Sequence, residues 1–72
     1  MSKKICPCCG IGFVDAEYDS NDICEICGWE DDSLQNNDPD YAGGANEDSL
    51  NQHRQWFFDE RKKNPNFTAF KQ

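Results

Sequence analysis

Cys6-Pro7-Cys8-Cys9-Gly10 and Cys24-Glu25-Ile26-Cys27-Gly28 are the two stretches of sequence that decide the fold of this chain. In each stretch, two cysteines are separated by two residues and followed by a glycine, which tolerates the left-handed backbone that such turns need. Cysteine pairs spaced in this way, about fifteen residues apart, are typical of a tetrahedral site of four thiolates. The sequence therefore predicts one metal ion bound by Cys6, Cys9, Cys24 and Cys27.

The predicted site is closed, because four thiolates fill every position of a tetrahedral ion. Closed sites are structural when the ion is Zn²⁺, which we expect here, or they transfer electrons when the ion is iron. We therefore predict no enzymatic activity and no catalytic residue. A structural zinc ion supplies on the order of 10–16 kcal/mol of apparent binding free energy coupled to folding. A contribution of this size would dominate the stability of a 72-residue chain.

Two other potential ligands, Cys8 and His53, are placed outside the predicted site. Cys8 is too close to Cys6 in sequence for the ordinary turn, and its acidic surroundings disfavour a reactive thiolate. We interpret Cys8 as a packed side chain, with a reactive thiol as the alternative. His53 lies on a predicted helix, 26 residues beyond Cys27. A set of four cysteines needs no further ligand.

The charge of the chain is unevenly distributed. The formal net charge is −7, twelve of the fourteen acidic residues lie between Asp15 and Asp48, and no Lys or Arg occurs from Ile5 to His53. This acidic field repels a phosphate backbone, so we expect no nucleic-acid binding. The acidic surface either keeps the protein soluble or binds a basic protein partner. A weaker hypothesis, which rests on the acidic charge and the small size of the chain, is that the protein antagonises a basic toxin.

The cysteines also indicate a compartment. The N-terminal residues contain no apolar segment long enough for a secretory signal or a membrane span. Thiols remain reduced in the cytosol, where paired Cys-x-x-Cys sequences indicate metal binding rather than disulfides. An odd number of cysteines, five, also fits a disulfide framework poorly. We therefore expect a cytoplasmic protein that does not contact a membrane.

The fold class expected is a small metal-stabilised α+β domain with zinc-ribbon or rubredoxin-like cysteine turns. We predict one domain over residues 1–72, divided into a metal ribbon (1–30), an acidic glycine-containing loop (31–48), a helix (49–63) and a tail (64–72). Short strands are expected at 3–5 and 11–14, and Phe67 and Phe70 of the tail are expected to dock on the core. Ser49-x-x-Gln52 predicts a capping box at the start of the helix. The predicted core contains Trp29, Tyr41 and Phe57.

A resemblance to a known family rests on several of these stretches. They are the first cysteine turn, Ile23-Cys24 to Cys27, Trp29 to Asp32, Gln35, the run Asp38-Pro39-Asp40-Tyr41-Ala42-Gly43-Gly44-Ala45-Asn46, Ser49 to Asn51, Arg54 and Phe57. With these residues the chain is similar to the bacterial cysteine-rich CPCC family. It departs from the family at Glu25, where proline is frequent, and at His53, where alanine is common. The resemblance implies a rubredoxin-like metal-binding fold and brings no settled activity.

The segment most specific to the resemblance is Trp29–Asn46, because many small metal-binding domains share the cysteine turns. Our hypothesis from the sequence is that this acidic segment packs over the metal-binding half of the chain and presents a protein-binding face.

Overall fold

A computed structural model of the chain describes residues 2–69. The elements in chain order are β1 (Lys3–Ile5), β2 (Phe13–Asp15), α1 (Ser33–Asn37) and α2 (Leu50–Lys63). The two strands form one antiparallel sheet. The predicted α+β class is therefore confirmed. The docking predicted for Phe70 lies outside the described residues.

The β1–β2 hairpin has one covered face and one open face. Lys4 pairs with Val14 and Ile5 pairs with Phe13, so alternate residues point to opposite sides of the sheet. Val14 is fully buried, whereas Ile5 and Phe13 are exposed. β2 begins at Phe13 rather than at Ile11 as predicted, because the N–H groups of Ile11 and Gly12 donate to the Sγ of Cys9. Those two residues thus belong to the cysteine turn.

The segment between the second cysteine turn and α2 is more ordered than the irregular loop predicted for residues 31–48. It contains α1, which begins after Asp32, whose carboxylate accepts a hydrogen bond from the N–H of Leu34. An aspartate in this position satisfies an N–H group that the helix itself leaves unpaired. The prediction missed α1 because a five-residue helix has too few residues to show a periodic apolar pattern.

The core lies between the cysteine turns and α2. Besides the cysteines, its buried hydrophobic residues are Val14, Trp29, Leu50 and Phe57. The predicted core position of Tyr41 is wrong, because this side chain is 40% exposed. The interior position facing that loop is taken by Gln35, which is fully buried and donates to the carbonyl oxygen of Tyr41.

Helix α2 begins with the capping box that the sequence predicts. The hydroxyl of Ser49 accepts from the N–H of Gln52, and the side chain of Gln52 accepts from the N–H of Ser49. Leu50 and Phe57 are the residues of α2 that are buried in the core. Among residues 2–69, no helix combines the length and the apolar character that crossing a membrane requires.

Candidate metal centre

The four cysteines of the two Cys-x-x-Cys pairs converge on one point in the core. Their Sγ atoms all lie within 4.8 Å of one another, and all four residues are buried. The Sγ atoms of Cys6 and Cys27 are 3.6 Å apart, and those of Cys9 and Cys24 are 3.7 Å apart. In a tetrahedral zinc site with Zn–S bonds of about 2.3 Å, neighbouring sulfur atoms are about 3.8 Å apart. These separations could therefore accommodate a metal ion.

The two cysteine turns, residues 6–12 and 24–29, share one backbone hydrogen bond. Gly10 N–H donates to the carbonyl oxygen of Cys6, and Gly28 N–H donates to that of Cys24. Gly10 and Gly28 have φ angles of 71° and 79°, which explains the glycine after each pair. Each turn thus presents two sulfur atoms to the same point in the core.

Backbone N–H groups are directed at the sulfur atoms. Cys8 N–H lies 3.4 Å from the Sγ of Cys6, and Ile26 N–H lies 3.4 Å from the Sγ of Cys24. Cys9 Sγ accepts from the N–H of Gly12 at 3.3 Å. Hydrogen bonds of this kind stabilise the negative charge of a thiolate. The turns therefore suit ligands that lose their protons on binding a cation.

Without a cation, the same crowding disfavours ionisation. The hydrogen bond with Cys27, followed by burial, raises the pKa of Cys6 well above its ordinary value. Burial raises the pKa of Cys24 to about 11. For Cys27, the hydrogen bond with Cys6 lowers the pKa, but the contact with Cys8 and burial outweigh it and raise the pKa overall. Four thiolates at these distances need a positive ion between them, so the donor set fits a divalent metal.

Helix α2 is attached to both cysteine turns through consecutive residues. His53 Nε2 lies 2.7 Å from the carbonyl oxygen of Cys27, and His53 Nδ1 lies 2.7 Å from the carboxylate of Asp48. Arg54 donates from Nε and Nη2 to the carbonyl oxygen of Pro7, at 3.1 and 2.7 Å. Sequence reasoning missed these contacts, although Arg54 is among the residues that carry the family resemblance.

The structure also brings Cys8 and His53, which the sequence analysis places outside the metal site, close to Cys27. The ligand atoms of Cys8, Cys27 and His53 lie within 4.8 Å of one another. Both ring nitrogens of His53 already have oxygen partners at 2.7 Å. A metal ion at this set would displace one of these contacts and share Cys27 with the four-cysteine set. The four-cysteine set offers more ligands, and none of its sulfur atoms has to give up an oxygen contact.

The acidic segment after the second turn is held by buried polar side chains. Asp31 is fully buried and lies 3.1 Å from Lys4 Nζ, while Ser20 and Asn36 each donate to it at 2.7 Å. Burial raises the pKa of Asp31, but these partners outweigh it and hold the pKa below its ordinary value. A buried, ionised aspartate thus links the hairpin to α1.

Gln35 links α1 to the residues that follow it, again through buried hydrogen bonds. Its Nε2 donates to the carbonyl oxygens of Tyr41, Asn46 and Asp48 at 3.1, 3.1 and 2.9 Å. Its Oε1 accepts from the N–H and the side-chain amide of Asn46, both at 2.9 Å. The structure therefore explains much of the Trp29–Asn46 sequence as internal hydrogen bonding.

Comparison with protein families agrees with these features. The family model described as Cysteine-rich CPCC matches residues 4–63, and the chain belongs to this family. The match covers both cysteine turns, α1, the Gln35 contacts and all of α2. A search of curated proteins finds no match.

Proposed function

We propose that this protein is a non-enzymatic interaction module whose fold is held by one structural Zn²⁺ bound to Cys6, Cys9, Cys24 and Cys27. The observation that carries the proposal is the set of four buried sulfur atoms within 4.8 Å of one another. Four thiolates leave no coordination position for water or substrate. The ion would supply folding free energy, and the protein surface would supply the function.

The metal half of the proposal is tested on the purified protein. We expect one zinc ion per chain by elemental analysis, and loss of near-ultraviolet circular dichroism when a strong chelator removes it. If the protein instead shows the visible absorption of a ferric thiolate and a reversible reduction potential, it is an iron electron carrier. A chain that stays folded with no metal would overturn the structural role.

The interaction half is tested by photo-crosslinking in the native host. The photoreactive residue p-benzoylphenylalanine replaces Phe13, Leu34 or Phe58 in turn, since these three side chains are 60%, 56% and 48% exposed. We expect an irradiation-dependent adduct with another protein from at least one position. Absence of any adduct from all three positions would exclude the interaction module.

A further inference from the structure

Several exposed apolar side chains lie on the open face of the hairpin and next to it. Ile11, Phe13 and Ile23 are 52%, 60% and 47% exposed, and Ile5 lies beside Phe13 as its partner across the strands. Such a concentration on one side of a small chain is typical of an interaction site. These residues lie outside Trp29–Asn46, the segment in which the sequence suggested a binding face, although Ile23 pairs with Glu30 at its start.

Ile11, Phe13 and Ile23 line a groove, which we call the hairpin groove. Its lining residues are Lys3, Ile11, Gly12, Phe13, Asp22, Ile23, Glu25 and Ile26, and its volume is about 420 Å³. Gly12 is needed at its base, because a Cβ atom there would lie 2.6 Å from the Sγ of Cys24 and 2.9 Å from Cγ1 of Ile26. The groove thus has an apolar wall and is open enough to accept a side chain from another molecule.

The edge of the hairpin groove is acidic. Asp22 and Glu25 lie along it, and the one cation that lines it, Lys3, is paired with Asp22 at 3.6 Å. Glu25 is exposed, and none of its contacts among the described residues is an ion pair. The whole stretch from Ile5 to His53 contains no Lys or Arg. An apolar groove with this edge complements an apolar side chain that has a positive charge next to it.

The alternative face, Trp29–Asn46, has fewer groups available for a partner. The amide of Gln35 is fully used within the segment, and Trp29 Nε1 donates to Asn36 Oδ1 at 3.0 Å. Asn46 accepts from Glu30 N–H and donates to the carbonyl oxygen of Glu30, both at 2.9 Å. A partner would have to compete with these bonds, whereas the hairpin groove presents apolar surface that no described residue covers.

We propose that the hairpin groove binds a segment of another protein in which an apolar side chain is flanked by Lys or Arg. This inference rests on the proposed function as an interaction module and names its surface and the chemistry of its partner. A second copy of this chain is a poorer occupant, because two chains of net charge −7 repel each other. A nucleic acid is repelled for the same reason.

The test uses a phage library of random dodecapeptides, selected on the zinc-loaded full chain. We expect the enriched peptides to combine a large apolar residue with Lys or Arg. Synthetic copies of these peptides should bind more weakly as the salt concentration rises, since part of the attraction is between exposed charges. Enrichment of acidic peptides, or of none, would overturn the proposal.

Three variants locate the binding surface, each checked first for zinc content and circular dichroism. Phe13→Ser removes an apolar wall of the groove, Glu25→Lys reverses the charge of its edge, and Phe58→Ser is a matched control on α2. We expect each groove substitution to weaken peptide binding at least about tenfold, and Phe58→Ser to change it less than about twofold. Equal binding by Phe13→Ser and the native chain would overturn the assignment of the groove.

Two further outcomes are informative. Concentration-dependent dimerisation of the native chain that Phe13→Ser abolishes would assign the groove to a second copy and overturn the basic partner. In the photo-crosslinking experiment, adducts from Leu34 or Phe58 without adducts from Phe13 would overturn the groove but leave the interaction module standing. The two proposals therefore fail by different observations.

Discussion

Replacing Gln35 with methionine tests whether the Trp29–Asn46 segment is held together by this one amide. Methionine has nearly the same length and shape, so the substitution removes the polar atoms without leaving a large cavity. Three carbonyl oxygens, those of Tyr41, Asn46 and Asp48, then lose their donor, and the N–H of Asn46 loses its acceptor.

The expected cost follows from the number of groups left without a partner. A buried polar group without a partner costs about 1–3 kcal/mol. The loop around Tyr41 is exposed, so water can reach some of these groups, and we count about 1 kcal/mol for each of the four groups. The free energy of unfolding should therefore fall by about 4 kcal/mol. In a domain of this size, that corresponds to a decrease in Tm of about 16–32 °C.

The measurement is urea unfolding of the zinc-loaded protein, followed by tryptophan fluorescence at a fixed free zinc concentration. Fixing the free zinc matters because an ion that binds the folded state adds to the measured stability by mass action. Gln55→Met is the matched control, since Gln55 is exposed on α2 and its side chain donates a hydrogen bond to Asp59 at 3.0 Å. The control should change the free energy of unfolding by less than about 0.5 kcal/mol. A loss below about 1 kcal/mol for Gln35→Met would refute the role assigned to the amide.

Three other predictions concern the metal centre. Cys24→Ser should give a chain that is largely unfolded and does not bind zinc stoichiometrically. Cys8→Ser should retain one zinc ion per chain by elemental analysis. A lower zinc content in Cys8→Ser would mean that Cys8 is a ligand. Gly12→Ala should lower the free energy of unfolding by about 1–3 kcal/mol, measured in urea, because its Cβ would lie 2.6 Å from the Sγ of Cys24; native-like stability would show that the turn can relax. Zinc must displace the protons of the thiols that bind it, because an ordinary thiol has a pKa of about 8.5, and contacts among the thiols together with burial raise the pKa values of Cys6, Cys24 and Cys27 further. The apparent zinc affinity should therefore rise by at least about 10³ per pH unit between pH 6 and 8 in competition titrations, and a pH-independent affinity would contradict binding by deprotonated thiols.

The parts of the fold that could be predicted from the sequence are those set by neighbouring residues. The cysteine turns depend on a two-residue spacing and a glycine, and the capping box of α2 depends on Ser49 and Gln52, three residues apart. Both are local patterns with a direct physical cause. The convergence of the two cysteine turns was predictable as well, because the tetrahedral arrangement expected of four thiolates brings their sulfur atoms together.

The parts that could not be predicted are polar contacts between residues far apart in the chain. The contact of Arg54 with Pro7 spans 47 residues, and that of His53 with Cys27 spans 26. No periodic pattern in the sequence predicts such a contact, because a single hydrogen bond needs only one donor and one acceptor at the right place. Tyr41 was misplaced for the same reason. Its apolar character predicted burial, but the polar Gln35 occupies the interior through five hydrogen bonds that are invisible in the sequence.

The exposed hairpin face and the proposed metal centre have a common physical explanation. A two-stranded hairpin has two faces, and in this chain the core covers the face that carries Val14 and leaves Ile5 and Phe13 exposed. A larger domain would place another element over Ile5 and Phe13, since burying each would add about 1.5–3 kcal/mol. A metal ion that supplies several times this free energy removes the need for such a cover. Exposed apolar residues then contribute little to folding, so they can be selected for binding. In an interaction module of this kind, the metal centre stabilises the fold and the exposed apolar residues bind the partner.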